Sequence, residues 1–477
     1  MSIKKNFVYS SILTVSNYIF PMITFPYVSR VLGVTNVGVC SFVDSIIHYF
    51  ILFSMMGLSA TGIRAIAGSN KDKKEQGKIF SSLLTLNAIT TFLMLLALLI
   101  SIEIVPQFTE NRKLLYIGAA KLVCNLFLVE WFFKGIECFK WITQRTIFIK
   151  ILYVISILLF VKTPEDYDIY YILTVGIVCV NAAFNFPYAC SKIKLSFRNL
   201  EIKKHLKSFF TMGVYLILTS MYTSFNIVYL GIVSGDTEVG YYSTSTKLFH
   251  IILAIYTAFT GVMLPRMSAL FSENRIDEFK RMIKKSVTGL IIFAVPVVIL
   301  TSLLAPEIVY TLSGAGYEGA NTPAQIIMPL IFIIGYEQIL ILQILMPTKE
   351  DKHILRNSIM GATIGIALNL LLVQRLGATG SAIVWVASEI TVLISAQIIV
   401  SKKFSLHFPF IATIKNIIFY IPSIALIILL KRYGCGSNLY NIALGSLIIF
   451  INAIFVLKYT QPQIMGTIIG KFNKRKN

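Results

Sequence analysis

Ionisable side chains inside otherwise apolar stretches are the residues of this chain that could do chemistry. Asp44 and His48 stand at positions i and i+4, and Lys247 and His250 stand at i and i+3, so on helices each pair shares one face. Histidine changes charge near neutral pH, and lysine binds phosphate as a point charge. The two faces are therefore candidates either for anion binding coupled to proton uptake or for charge pairing that holds helices together.

Acidic residues inside apolar stretches form a second group of candidates. Glu130 and Lys134 are again at i and i+4, which predicts either a local ion pair or a site of ion coupling. Glu337 and Glu389 have no cation nearby in the sequence. Each is either a proton-binding site or a protonated core carboxyl, because an ionised carboxylate without a partner is costly inside a membrane.

Further positive charge lies in or at the ends of apolar stretches, at Arg30 and Lys121. With Lys247, these residues are candidates to bind an anion in one aqueous cavity. Pro21 and Pro26 stand in the first apolar stretch and predict a kink there, which suits either a moving gate or static packing.

Searches for enzymatic motifs are negative. There is no phosphate-binding GxxxxGK[ST] loop and no HExxH, and the five histidines and six cysteines are scattered, so the sequence predicts no metal site, disulfide framework or cofactor. One GxGxxG occurs at residues 314–319, but no strand precedes it, so a turn is the better interpretation.

The elements that must position these residues follow from composition. Of 477 residues, 56% are hydrophobic and 14% are charged, which excludes a water-soluble or disordered chain. A membrane span needs about 20 apolar residues. Fourteen such stretches are predicted, at 7–29, 37–60, 79–102, 114–133, 146–161, 169–191, 209–233, 241–264, 286–304, 324–346, 357–373, 379–401, 416–430 and 439–457.

The distribution of basic residues predicts the orientation of these spans. With both termini in the cytoplasm, cytoplasmic segments carry 34 Lys and Arg and external segments carry 7. This asymmetry obeys the positive-inside rule, and it explains the net charge of +21 without nucleic acid. No loop is long enough for a catalytic domain, so the sequence predicts a protein that is not an enzyme.

An internal repeat suggests how the spans are grouped. His48 and Arg64 follow Gly38 by ten and twenty-six residues, and the same residue types follow Gly240 at the same offsets. Upstream, Gly33 matches Gly231 with a four-residue difference in length. The sequence thus predicts parallel repeats related by a pseudo-two-fold axis along the membrane normal.

The predicted fold is an all-α polytopic membrane protein with two six-helix lobes and two additional helices. The predicted divisions are an N-terminal lobe, a basic cytoplasmic linker, a C-terminal lobe, and two helices with a basic tail, at residues 1–191, 192–208, 209–403 and 404–477.

Several ordered motifs resemble one family. They are residues 25–33 (FPYVSRVLG), residues 62–64 (GIR), residues 130–137 (EWFFKGIE), and residues 376–382 (LGATGSA) leading to Glu389. Together they resemble the polysaccharide flippases of the multidrug/oligosaccharidyl-lipid/polysaccharide exporter superfamily, the O-antigen and capsule repeat-unit transporters, over nearly the whole chain.

The resemblance implies transfer of undecaprenyl-diphosphate-linked oligosaccharide across the bacterial cytoplasmic (inner) membrane by alternating access, coupled to an ion gradient. Its implied partners are the lipid-linked substrate, membrane lipids, and a polysaccharide polymerase with assembly proteins. The alternatives are a lipid II flippase, a drug or metabolite exporter of the same fold, and a membrane-embedded glycan-processing enzyme. An exporter of organic cations would need an acidic cavity, whereas the residues within the spans are at least as basic as acidic.

Overall fold

A computed structural model describes residues 3–69, 72–198, 200–433 and 436–460, and over these residues the chain is helical without any β-strand. The predicted all-α class is therefore confirmed. The α-helices are α1 Ile3–Met55, α2 Leu58–Gly68, α3 Lys73–Ile104, α4 Pro106–Glu110, α5 Arg112–Leu126, α6 Glu130–Gly135, α7 Phe139–Phe160, α8 Tyr167–Lys192, α9 Ile202–Thr223, α10 Phe225–Ser234, α11 Asp236–Ser272, α12 Ile276–Leu303, α13 Ala305–Ser313, α14 Asn321–Ile327, α15 Leu330–Gln338, α16 Asp351–Leu368, α17 Gln374–Phe404, α18 Phe410–Phe419, α19 Ile421–Tyr433 and α20 Asn438–Thr460.

Apolar helices long enough to cross a membrane recur along the chain. Among the described residues there are nine, or up to eleven when two bent pairs of helices are each counted as one span. Large apolar side chains such as Ile104, Phe92 and Leu159 are exposed on them, as expected for contact with lipid. The chain is thus a multi-pass membrane protein, while the count of fourteen spans stays a prediction.

Glycines interrupt two of the long helices, α1 and α17. α1 contains the first predicted span and most of the second, and its one residue outside helical φ/ψ is Gly33, at φ 74° and ψ 170°. α17 departs from helical φ/ψ at Gly377, at φ 53°. A positive φ of this kind is unfavourable for a residue with a Cβ atom. Pro21 and Pro26 lie inside α1, but the backbone departs from the helix at the glycine rather than at the prolines.

Contacts between residues divide the chain into two compact units. The first unit consists of residues 1–243 and 362–384, and the second of residues 244–361 and 385–477. The core of the first includes aromatic residues of α3 and α6, among them Phe80, Trp131 and Phe132. The predicted division into lobes, linker and C-terminal extension stays a prediction.

The basic segment after α8 is attached to the first unit by its backbone. The backbone N–H of Ser196 donates to Ser81 Oγ, and that of Glu201 donates to Ser82 Oγ, each at 2.9 Å. The Lys204 ammonium is 3.1 Å from the Glu201 carboxylate and holds the pKa of that carboxyl below its usual value. The second half of the predicted linker is already helical, because α9 begins at Ile202.

The two C-terminal helical segments pack within the second unit. Tyr420, Ile427 and Ile449 are buried in one apolar cluster that also receives side chains of α12. Lys431 Nζ of α19 lies 3.2 Å from the buried carboxylate of Glu307 and donates to the Leu303 carbonyl at 2.8 Å. These helices are therefore held by an ion pair as well as by apolar contact.

Candidate functional site

An ion pair within the apolar helices of the first unit joins two of the predicted site residues. Lys121 Nζ of α5 lies 2.5 Å from Asp44 Oδ1 of α1. The side chain of Lys121 is largely buried, with 16% of its surface exposed. The hydroxyl of fully buried Tyr171 has no hydrogen-bond partner among the described residues, and an added Cβ at Gly118 would approach it to 2.9 Å. A partly buried polar cluster thus lies between α1, α5 and α8.

Of the two residues on the predicted face of α1, Asp44 takes part in this ion pair and His48 does not. His48, one turn further along α1, is exposed. In the second unit His250 is exposed too, and its ring centroid lies 5.8 Å from that of Trp385. Arg30 is exposed and Lys247 is half-buried. The roles of these residues as ligands stay predictions.

A second charged cluster surrounds Glu130. Its Oε2 atom lies 3.5 Å from Lys134 Nζ, as the i, i+4 spacing predicts, and its Oε1 atom lies 3.5 Å from Arg145 Nη2. The side chain of Arg145 is 5% exposed, and its Nε and Nη1 atoms have no partner among the described residues. Arg145 also donates from Nη2 to Thr146 Oγ1 at 2.9 Å. The cluster holds two cations for one carboxylate, so it carries an excess of positive charge, and of its three charged side chains only that of Arg145 is buried.

Breaks in two neighbouring helices create a cavity at this cluster. Met56, between α1 and α2, has φ 43°, and Val129, between α5 and α6, has φ 40°. Left-handed backbone is unfavourable for a β-branched residue such as valine. The cavity has a volume of about 240 Å³ and is lined by Met55, Leu58, Ser59, Asn87, Asn125, Leu126, Leu128, Val129, Glu130, Trp131 and Lys134.

Short helices beyond these breaks pack tightly on each other. An added Cβ at Gly62 of α2 would come within 2.4 Å of the Trp131 ring of α6. On the opposite side, an added Cβ at Gly135 would come within 2.8 Å of Ile66. The glycines of two motifs noted in the sequence, GIR and EWFFKGIE, therefore permit the close approach of α2 and α6.

In the second unit the structure brings Glu337 and Glu389 together. Both are buried, with exposures of 8% and 3%, and their carboxyl groups lie within hydrogen-bonding range of each other. Trp385 Nε1 donates to Glu389 Oε1 at 2.9 Å, whereas Glu337 Oε2 has no partner among the described residues. Each acid could be predicted as a separate candidate from the sequence, but their pairing could not.

Two glycines of the predicted internal repeat, Gly38 and Gly240, lie close together in the first unit. Thr35 Oγ1 lies 3.0 Å from Thr237 Oγ1. An added Cβ at Gly38 would lie 1.8 Å from the Asp236 carbonyl oxygen, and one at Gly240 would lie 2.2 Å from the Val34 carbonyl oxygen. We name these reciprocal approaches the Gly38–Gly240 contact.

The backbone at the start of this contact also corrects the register of the repeat. Gly235 has φ 84° and ψ 175°, close to the 74° and 170° of Gly33. Each stands five residues before a glycine of the contact. The conformational counterpart of Gly33 is therefore Gly235, with no difference in length, and not Gly231, which lies inside α10 against Phe42.

Comparison with known proteins identifies the family. Residues 3–271 match the family described as "Polysaccharide biosynthesis protein", which is more than half of the chain. The chain belongs to this polysaccharide biosynthesis protein family. Among its relatives is a "Putative O-antigen transporter" of Escherichia coli (strain K12), 26% identical over 395 residues that cover 82% of this chain and 94% of the relative.

A second relative of this chain is a "Probable low-salt glycan biosynthesis flippase Agl15" of Haloferax volcanii, which is 21% identical over 75% of each chain. Among solved structures, the lipid II flippase MurJ in an inward closed conformation has a TM-score of 0.78 at 15% identity, covering 95% of this chain and 99% of that one. An outward-facing multidrug resistance transporter of the MATE family and MOP superfamily has a TM-score of 0.58, covering 84% of this chain and 96% of that one. At this level of identity these structures show a similarity of fold.

Proposed function

We propose that this protein is a flippase that moves undecaprenyl-diphosphate-linked oligosaccharide repeat units across the bacterial cytoplasmic membrane. The names of its relatives, an O-antigen transporter and a glycan flippase, support the substrate class. On this proposal the protein is a transporter rather than an enzyme, both termini lie in the cytoplasm, and the product passes to a polymerase and assembly proteins.

The observation that carries the proposal is the excess of cations in two clusters of the first unit. Lys121, Lys134 and Arg145 are matched there by two carboxylates, those of Asp44 and Glu130. A diphosphate is the strongly anionic part of a lipid-linked oligosaccharide, and fixed cations lower the cost of moving it through a low-dielectric interior. The lipid tail can remain in the bilayer. An exporter of organic cations would require the opposite balance of charge.

Lys121 allows the sharpest test, because its pairing with Asp44 can be separated from its proposed binding of the diphosphate. In vesicles containing the purified chain and a lipid-linked oligosaccharide, translocation is measured as glycan that becomes accessible to an added glycosidase. We expect Lys121→Gln to reduce the rate by at least about tenfold, since one charge contact contributes about 1.5–3 kcal/mol. Lys121→Arg should retain most of the rate, and exposed Lys140→Gln serves as the control.

The double variant Asp44→Asn with Lys121→Gln decides between the two roles. If Lys121 only neutralises Asp44, removal of both charges restores translocation. If Lys121 receives the diphosphate, the double variant stays slow. Translocation of lipid II but not of oligosaccharide repeat units would favour the lipid II alternative. Transport of organic cations with no movement of either lipid would overturn the proposal.

A further inference from the structure

We propose that Glu337 and Glu389 form one proton-binding site, in which the pair always holds one proton and takes up and releases a second during each transport cycle. This inference rests on the proposed function, because it assigns the proton site to the transport cycle of a flippase. It concerns the ion that drives the movement, whereas the cation clusters of the first unit concern the lipid.

The contact between the two carboxyl groups is the first argument. Glu337 lies near the end of α15 and Glu389 lies in α17, and both are at least nine-tenths buried. An ionised carboxylate is only an acceptor, so a hydrogen bond between two carboxyl groups needs a proton on one of them. Two ionised carboxylates within hydrogen-bonding range of each other would repel in a site with little water. The pair therefore alternates between a singly charged and a neutral form.

The groups that face the pair favour this alternation. The indole N–H of Trp385 is a donor only, and at 2.9 Å from Glu389 Oε1 it stabilises the ionised form of that residue. We assign the permanent proton to Glu337, because Glu389 already accepts the indole N–H and so has its ionised form stabilised. The ring of His250, from α11, lies 5.8 Å from the ring of Trp385, measured between centroids.

The ligand is a proton rather than a metal ion. A carboxyl pair that shares a proton carries only one negative charge, which makes it a weak set of ligands for a metal ion, and Glu389 Oε1 also accepts the indole N–H at 2.9 Å. In the described part of the chain, no group of three or more His, Cys, Asp and Glu residues could hold a metal ion. A proton needs only the carboxyl oxygens.

The backbone beside the pair can transmit the change in charge. A π-helix, Ile339–Leu345, begins two residues after Glu337, and such wide turns are frequent at functional sites. Gln338 links α15 to α11, since it donates to Thr257 Oγ1 at 3.2 Å and accepts from Thr260 Oγ1 at 2.8 Å. Ionisation of the pair would therefore act on the junction of three helices, α11, α15 and α17.

Glutamine substitution tests the pair without changing its volume. In vesicles, Glu337→Gln and Glu389→Gln should each lose transport driven by a proton gradient by at least about tenfold, while exchange of lipid-linked oligosaccharide without a gradient continues. The control variant Glu75→Gln, at an exposed residue, should keep both gradient-driven transport and exchange without a gradient. Gradient-driven transport that survives in both glutamine variants would overturn the proposal. Loss of exchange in the parent protein would instead show that the proposed function is wrong.

A spectroscopic readout is independent of any transported lipid. The chain has three tryptophans, so the emission of the parent minus that of Trp385→Phe isolates the indole that donates to Glu389. This difference should titrate with pH in the purified full chain and should lose its titration in Glu389→Gln. A flat difference over the accessible pH range, or one that follows sodium at constant pH, would refute the proton site.

Discussion

The Gly38–Gly240 contact gives a quantitative prediction for Gly38→Ala. The added Cβ would lie 1.8 Å from the Asp236 carbonyl oxygen and 2.7 Å from its carbonyl carbon. Backbone atoms cannot rotate away as the end of a side chain can, so the two segments must separate by well over 1 Å to reach van der Waals distance. Overpacking of this kind costs about 1–3 kcal/mol. If the two segments are apart in another state of the transport cycle, the population of that state relative to the state described here should rise by about 5- to 160-fold at 25 °C.

Disulfide cross-linking measures this shift directly. The hydroxyl oxygens of Thr35 and Thr237 are 3.0 Å apart, so cysteines at these two positions should cross-link readily in a background without the six native cysteines. Gly38→Ala should slow the cross-linking at least about fivefold. Gly240→Ala, whose Cβ would lie 2.2 Å from the Val34 carbonyl oxygen, should do the same.

The control is Gly176→Ala, because an added Cβ there meets no atom within 4 Å. It should leave the cross-linking rate unchanged. If both contact variants cross-link as fast as the parent, the close approach does not exist in the membrane. If Gly176→Ala slows the reaction equally, the effect of an added methyl group is general and is not specific to the Gly38–Gly240 contact.

Two further predictions concern topology and packing. Single cysteines placed at Ser437 and at Asp168 should both react with an impermeant reagent added from outside, and labelling at position 437 from the cytosol alone would contradict the predicted number of spans after the sixth. Gly62→Ala should lower the thermal midpoint of the purified protein by several degrees, because its Cβ would come within 2.4 Å of Trp131, whereas Gly68→Ala should have little effect, since nothing lies within 4 Å there. An unchanged midpoint for Gly62→Ala would contradict the packing of α2 on α6.

The positions of the helices follow from the lengths of the apolar stretches, but the positions of their breaks do not. Glycine marks two of the breaks, at Gly33 and Gly377, in agreement with its tolerance of positive φ. The breaks at Met56 and Val129 have no such signal, because neither residue favours left-handed backbone. They are imposed by tertiary packing, such as that of Trp131 on α2.

The charged sites divide in the same way. The Glu130–Lys134 contact could be predicted, because residues four apart on a helix are neighbours. The participation of Arg145 in that cluster could not, since it depends on how α7 packs beside α6. The pairing of Lys121 with Asp44 also joins residues that are distant in the sequence. Sequence patterns report periodicity within one helix, whereas these contacts depend on the arrangement of several.

The ion pair between Lys431 and Glu307 has a consequence for how such chains can change in length. Glu307 is buried within the second unit, and its cationic partner stands on α19. A shortened chain that ends before α19 would leave this carboxylate in an apolar interior without a counter-charge, which is costly. The loss of the last two helices in a related protein should therefore be accompanied by an uncharged residue at the position of Glu307 or by a new cation from another helix. We therefore expect α13 and the C-terminal helices to be gained or lost together in evolution, and a substitution of Glu307 to be accompanied by one of Lys431.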